Sequence, residues 1–272
     1  MTIPPNDHQQ SYPPLAISGK KAFPFRLACP SFIHPAGYVE NVRHLAPFVD
    51  EIELLFFESR FADSLPAPDL IRQLVQLSKD LDICYNIHLP TDIFLGHADN
   101  GMRQAAVDVL KEMVARCALL NPTTYTLHLT QRPAEPDIRQ WQVRTAASIK
   151  TLLATGISGR CISVENLDYD FEQAAPIICQ LGLSVCMDMG HLMVQGADIQ
   201  SVYEKWQDRI TMVHLHGVDG PQDHLPLNRL ESNLMNEVMK LLRTYSGTVS
   251  LEVFAFEALD TSMIFLDEQW RR

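Results

Sequence analysis

Leu183-Ser184-Val185-Cys186-Met187-Asp188-Met189-Gly190-His191 decides how the chain is read. Ser184, Cys186 and Asp188 alternate with Val185 and Met187, the period-two pattern of a strand with one small or polar face. Cys161-Ile162-Ser163-Val164-Glu165-Asn166 repeats it, with Cys161, Ser163 and Glu165 on one face and Ile162 and Val164 on the other. Between the two runs lies a helical stretch closed by Gly182, a residue suited to a helix terminus. Strand, helix and strand at this spacing make a parallel crossover unit.

Working outward, the unit recurs. Strands are expected at 25–31, 51–57, 84–89, 124–129, 161–166, 184–189, 211–217 and 248–254. Helical periodicity runs through 69–82 (Leu70, Leu74, Leu77, Leu81), 101–120 (Ala106, Leu110, Met113, Cys117) and 230–245 (Leu230, Leu234, Val238, Leu241). Pro68-Asp69 suits the start of the first, and Gly156 ends another helical stretch. Eight such units close naturally into a (β/α)₈ TIM barrel, for which 272 residues is an ordinary length. The competing open, doubly wound sheet lacks its usual G-x-G-x-x-G after the first strand. Residues 23–272 are therefore expected to form one barrel domain. Residues 1–22, with Pro4, Pro5, Pro13 and Pro14 among Asn, Gln and Ser, are expected to form a mobile extension.

Hydrophobic residues make up 46% of the chain, enough for a large core. The polar, proline-bearing start lacks the basic-then-apolar pattern of a secretory signal, and no apolar run is long enough to span a bilayer. These features predict a cytoplasmic protein that does not engage membranes. Cys29, Cys84, Cys117, Cys161, Cys179 and Cys186 contain no C-x-x-C pair, so no disulfide framework is expected. The net charge of −11 argues against a nucleic-acid partner. Trp141, Trp206 and Trp270 fall on helical stretches and read as packing residues.

Polar residues interrupt the apolar strands where they end. The third strand ends in Asn86-Ile87-His88, the fourth in His128, the fifth in Glu165-Asn166, the sixth in Asp188 with His191 following, the seventh in His214-Leu215-His216, and the eighth carries Glu252. In a parallel barrel all these ends meet at one mouth. A lone histidine or glutamate there is most often a hydrogen-bonded structural residue. Six positions on successive strands are a different matter, because bare carboxylates sharing a cavity would repel one another and take up protons. A divalent cation resolves this. The many imidazoles favour zinc, with manganese as the alternative. His216 is preferred over His214 as the ligand because it lies nearer the strand end, leaving His214 a supporting or substrate-binding role. Asp223-His224, in the loop after the seventh strand, is a further candidate pair. Glu58 either meets substrate or pairs with Arg60, and Glu53 is ambiguous.

This set resembles the xylose-isomerase-like barrel superfamily, which contains sugar isomerases, epimerases and endonuclease IV. The resemblance implies that Glu165, Asp188, His216 and Glu252 hold a metal. Its endonuclease IV branch implies further ligands at His88, His128, His191 and His224, in a zinc cluster that hydrolyses a phosphodiester. That branch has an Asp two residues before the loop histidine; here the position is Gln222, with Asp223 beside it.

From about Phe25 to Glu257 the order of the runs Ile87-His88-Leu89-Pro90, Ser163-Val164-Glu165-Asn166-Leu167, Leu183 to His191, Val213-His214-Leu215-His216-Gly217-Val218, Asp223-His224-Leu225 and Leu251-Glu252-Val253-Phe254 resembles the CbiR family of cobamide-remodelling phosphodiesterases. That resemblance implies hydrolysis of the nucleotide loop of a cobamide, a small-molecule substrate. Glu165, Glu252 and His191 are the candidate catalytic residues, and Glu58, Asn166, His214 and Asp223 the candidates for substrate contact. The alternative is a metal-dependent sugar isomerase or epimerase, with Glu165 and Glu252 moving a proton at a sugar carbon. Extra imidazoles on strands three and four argue against it. Abasic-site DNA cleavage would want a basic rim, and a corrinoid-binding protein without activity would need fewer metal-binding groups. Oligomeric state is not readable from the sequence.

Overall fold

The computed structural model describes residues 12–60, 64–131 and 137–272. Residues 1–11, half of the expected mobile extension, lie outside the described residues. The barrel strands are β1 (Arg26–Pro30), β2 (Glu51–Leu55), β3 (Cys84–His88), β4 (Tyr125–His128), β5 (Ile162–Glu165), β6 (Ser184–Asp188), β7 (Ile210–Leu215) and β10 (Thr248–Leu251). They pair in parallel and close in the order β1-β10-β7-β6-β5-β4-β3-β2. All eight expected strands are present. The helices are α1 (Tyr38–Leu45), α2 (Pro68–Leu81), α3 (Asn100–Cys117), α4 (Ile138–Leu153), α5 (Ala175–Leu181), α6 (Met189–Val194), α7 (Ile199–Trp206), α8 (Ser232–Leu242) and α9 (Phe256–Trp270). Among the described residues no helix is long and apolar enough to cross a membrane, and all six cysteines are free thiols.

Local chemistry sets the helix ends. Pro68 opens α2, and Gly182 closes α5 at φ 63. α8 is shorter than the 230–245 period suggests, since Leu230 and Glu231 are extended before it starts. Leu230 still packs in the core, so its apolar character marked burial without marking a helix. An antiparallel hairpin, β8 (Gly217–Asp219) and β9 (Gln222–Leu225), stands where the sequence suggested a plain loop.

The apolar faces of the strands, including Ile52, Leu54, Ile87, Val164, Val185, Val213 and Val249, are buried beneath the helices. The lumen is polar and stacked in layers. At its base, Glu51 accepts from Arg26 Nε (2.9 Å), Asn86 Nδ2 (2.8 Å) and Thr123 Oγ1 (2.7 Å). This network compensates a carboxylate that would be costly to bury alone. Glu53 lies one layer higher and leads into the site.

Residues 12–22, expected to be mobile, are docked. Leu15 is buried, the Ala16 amide donates to Asp260 of α9 (2.7 Å), and Lys20 Nζ caps the carbonyls of Ala46 (3.0 Å) and Leu81 (2.8 Å). Tyr12 stacks on His34 at 4.4 Å. Pro13 and Pro14, read as disorder, instead belong to an extended strap held by hydrogen bonds to backbone groups and a few apolar contacts.

Candidate metal centre

At the C-terminal mouth the imidazoles, carboxylates and Cys186 form five overlapping groups, each with ligand atoms within 4.8 Å of one another, and three of them adjoin across the mouth. One holds His88, His128 and Glu165; the central one holds Glu165, Asp188, His214 and Glu252; the third holds Asp188, His191, His216 and His224. Glu165 is shared by the first two and Asp188 by the last two. All eight candidate metal ligands are thus brought together, and His214 joins them.

The register explains the convergence. His128 pairs with Glu165 across β4 and β5, Glu165 with Cys186 across β5 and β6, and Asp188 with His214 across β6 and β7. In the first group, Glu165 Oε2 lies 3.0 Å from His128 Nε2 and 3.3 Å from His88 Nε2. Nδ1 of His88 contacts the Leu89 carbonyl (3.0 Å), which turns Nε2 inward. Asp188 ends β6 and caps α6, accepting from the His191 amide at 2.7 Å. The same cap brings the His191 ring within 3.4 Å of Asp188 Oδ2.

His214, rather than the preferred His216, occupies the central group. His216 meets Asp188 from the third group, its Nε2 3.3 Å from Oδ1, and β7 is irregular against β6. Val185 pairs with Ile210 but Cys186 with Met212, so Thr211 is bulged out and the upper strand is offset by one residue. His214 therefore stands level with Asp188, and His216 one layer above. The His216 ring then packs on the backbone of Gly190, where a Cβ would lie 1.9 Å from its Cε1. Glycine at 190 is required by that close approach.

Glu53, ambiguous in the sequence, orients His214: its Oε1 lies 3.0 Å from Nε2 and its Oε2 accepts from Ser250 Oγ at 2.6 Å. A carboxylate behind an imidazole fixes its tautomer and directs the other nitrogen forward. Its signal was the run Glu51-Ile52-Glu53, two acids on one face of an apolar strand. Cys186 also reaches inward, within the range of Glu165 and His214, and burial pushes its thiol up.

The hairpin delivers Asp223 and His224. His224 adopts φ 51, a left-handed conformation uncommon outside glycine, and its amide donates to His216 Nδ1 (2.9 Å). His224 Nε2 lies 3.4 Å from Glu252, and Nδ1 3.0 Å from Asp223. Asp223 is at the rim, 3.8 Å from His191 Nε2.

Two candidates for substrate contact lie apart from the ligand groups. Asn166 is buried and clamps β6 reciprocally, donating to the Asp188 carbonyl (2.9 Å) and accepting from its amide (2.8 Å). It follows Glu165 on the strand, so alternation turns it away from the lumen. Glu58 is exposed beyond β2, on the wall of a cavity of about 630 Å³, and Arg60 pairs with Asp92 at 3.3 Å.

The donor set fits divalent cations. His214 Nδ1 and Glu252 Oε2 are buried, 3.0 Å apart, and make no hydrogen bond with the described residues. Buried polar atoms are rarely left so, and both are suitable ligands for zinc or manganese. Without a cation the groups lean on one another. Burial disfavours charge on Glu165 and Glu252, yet His128 and His214 hold the first, and His214 and His224 the second, well below the usual carboxylate range. Burial likewise opposes protonation of His214, but the Cys186 sulfur and the Glu252, Glu53 and Glu165 carboxylates raise it well above an ordinary imidazole. His224 is raised to about 9, burial being outweighed by Glu252.

Residues 49–269 match the family described as Xylose isomerase-like TIM barrel. No curated protein matches the chain by sequence. Among solved structures, a D-tagatose 3-epimerase-like protein superposes with TM-score 0.77 at 17% identity, over 91% of this chain and 97% of its own. D-psicose 3-epimerase from Clostridium cellulolyticum gives 0.73 at 14% identity, over 90% and 98%. Endonuclease IV from Thermus thermophilus gives 0.66 at 18% identity, over 89% and 99%. At these identities the likeness establishes the fold.

Proposed function

The chain belongs to the xylose isomerase-like TIM barrel family, and on that premise we propose that it is a metal-dependent phosphodiesterase acting on the nucleotide loop of cobamides. The observation carrying this reading is that further ligand groups adjoin the central one on both sides. The central group alone would suffice for a one-metal sugar isomerase. His88 and His128 on one side, and His191, His216 and His224 on the other, extend it into a site wide enough for more than one cation, a common arrangement for phosphodiester cleavage. The cobamide substrate rests on the ordered motif runs along the strands.

Divalent cations in these groups would supply Lewis acidity, polarising a phosphoryl oxygen and acidifying water. The chain's own groups do the rest. Glu165 and Glu252 stay ionised and hold the imidazoles in position; either is close enough to the cluster to accept a proton from an attacking water. Glu53 fixes the His214 ring. Asp223 and His191, at the mouth, are the groups nearest an incoming diester. The acidic chain speaks against a polynucleotide in this role.

A sugar epimerase is the second reading, favoured by the similarity of the barrel to epimerase structures. There Glu165 and Glu252 would exchange a proton with a sugar carbon. Incubating metal-loaded protein with a cobamide and, separately, with ketoses separates the two. A cobinamide-type product identified by mass is expected; ketose interconversion with the cobamide left intact would overturn the phosphodiesterase reading.

A further inference from the structure

One side of the metal centre is lined by aromatic rings that the reaction leaves without a role. Phe32 follows β1, Phe57 follows β2 and Phe254 follows β10, so all three stand on adjoining loops of the mouth. Phe32 and Phe254 are 40% and 42% exposed. A single exposed apolar side chain is ordinary, but neighbouring exposed rings beside a catalytic mouth mark a contact surface.

These rings run directly into the ligand groups. Phe254 stacks on His224 at 5.2 Å and 27°, Phe57 meets the His88 ring edge-on at 4.9 Å, and Phe57 and Phe254 are 6.3 Å apart. Phe32 forms a wall shared by two cavities of about 630 and 870 Å³. Across the centre the mouth differs: a cavity of about 320 Å³ is lined by Thr130, Asp168 and Gln195 together with Leu167 and Val194, and by the ligand candidates His128, His191 and Asp223. Space on the aromatic side is larger and bounded by phenylalanine rings, whereas the smaller cavity has no phenylalanine in its wall.

We propose that the Phe32–Phe57–Phe254 shelf holds a flat, largely apolar ring system carried on one arm of the phosphodiester, while the smaller cavity takes the other arm. The proposal rests on the phosphodiesterase reading and adds the orientation of the substrate. For a cobamide, the macrocycle-bearing arm lies on the shelf and the ribosyl arm enters the cavity. Ring faces stack well against aromatic side chains, and the continuity from Phe254 to His224 brings the phosphate over the metal groups.

The test uses metal-loaded full-length protein with Phe32→Ala, Phe254→Ala and Phe254→Trp. With a cobamide, KM should rise about tenfold in the alanine variants and return toward the original value in Phe254→Trp. Selectivity for the cobamide over bis(p-nitrophenyl) phosphate should fall by about the same factor. Direct binding of cobinamide, which carries the flat ring but no nucleotide loop, should weaken about tenfold in both alanine variants. Unchanged cobamide KM, equal loss on both diesters, or cobinamide binding that is absent or insensitive to the rings would overturn the shelf. If the unaltered protein cleaves no cobamide yet binds cobinamide through these rings, the shelf stands and the phosphodiesterase reading falls. If it cleaves the cobamide and the variants bind equally, only the shelf falls.

Discussion

Nδ1 of His214 lies 3.0 Å from Oε2 of Glu252, both atoms are buried, and neither makes a hydrogen bond with the described residues. A shared cation would compensate two such atoms facing one another. Behind His214, Glu53 holds the ring in place. The pair therefore defines the centre from which the two flanking groups extend.

Glu165 is the residue whose loss should cost most, because it belongs to three of the ligand groups at once. Glu165→Gln keeps the side chain's shape and removes its charge. Turnover should fall about a thousandfold or more, the scale of losing a principal electrostatic group, with circular dichroism unchanged. Full activity in the variant would remove Glu165 from the mechanism.

Glu53 holds His214 and also lies within 4.8 Å of ligand atoms of His88 and Glu252. Glu53→Gln should weaken metal binding by about 10- to 100-fold, the usual cost of losing a carboxylate behind a metal-bound histidine. Titration with zinc in the presence of a competing chelator reads this directly. Unaltered affinity with altered melting temperature would assign Glu53 a purely structural role.

Gly190→Ala places a methyl group against the His216 ring, 1.9 Å from Cε1 before any adjustment. Because the contact is with a ring held in the third group, His216 should shift and that group should lose its cation. Metal content should drop while the barrel stays folded. Full metal content in this variant would show that His216 is not needed to hold it.

These relations mark the limit of what the sequence discloses. Alternation along 161–166 and 184–189 reveals which side chains face the lumen, because strand period is a local property. It says nothing of the offset between strands. The bulge at Thr211 is a property of two strands together, and it brings His214 level with Asp188 where an unbroken register would bring Val213. For the same reason Glu53 looked ambiguous: its partner is 161 residues away. The strap at 12–22 was misread because its order comes from contacts with α1 and α9 that no local pattern records. Asn166 had the right chemistry and the right address, yet side-chain direction took it to the neighbouring backbone.

Protonation supplies another test. His224 is raised to about 9 from 6.5, and His214 is raised well above 6.5. In metal-free protein, their contribution to stability is complete below the unfolded imidazole value and is lost as pH rises through the folded one. Glu165 and Glu252 are held well below 4.5, so theirs is present above that value and lost as pH falls through the folded one. The metal-free protein should therefore melt highest between pH 4.5 and 6.5 and progressively lower toward pH 9. Zinc loading near neutral pH must expel the imidazole protons. Calorimetry in two buffers of different ionisation enthalpy should show net proton release, and equal heats in both would contradict the assignment.

The most direct measurement is the number and position of bound cations, by elemental analysis of the purified protein and anomalous scattering from its crystals. More than one divalent ion per chain is expected, zinc being favoured, with density between His88, His128 and Glu165 and between His191, His216 and His224 as well as at the central carboxylates. A single ion confined to Glu165, Asp188, His214 and Glu252, or none after zinc loading, would contradict the multi-metal centre.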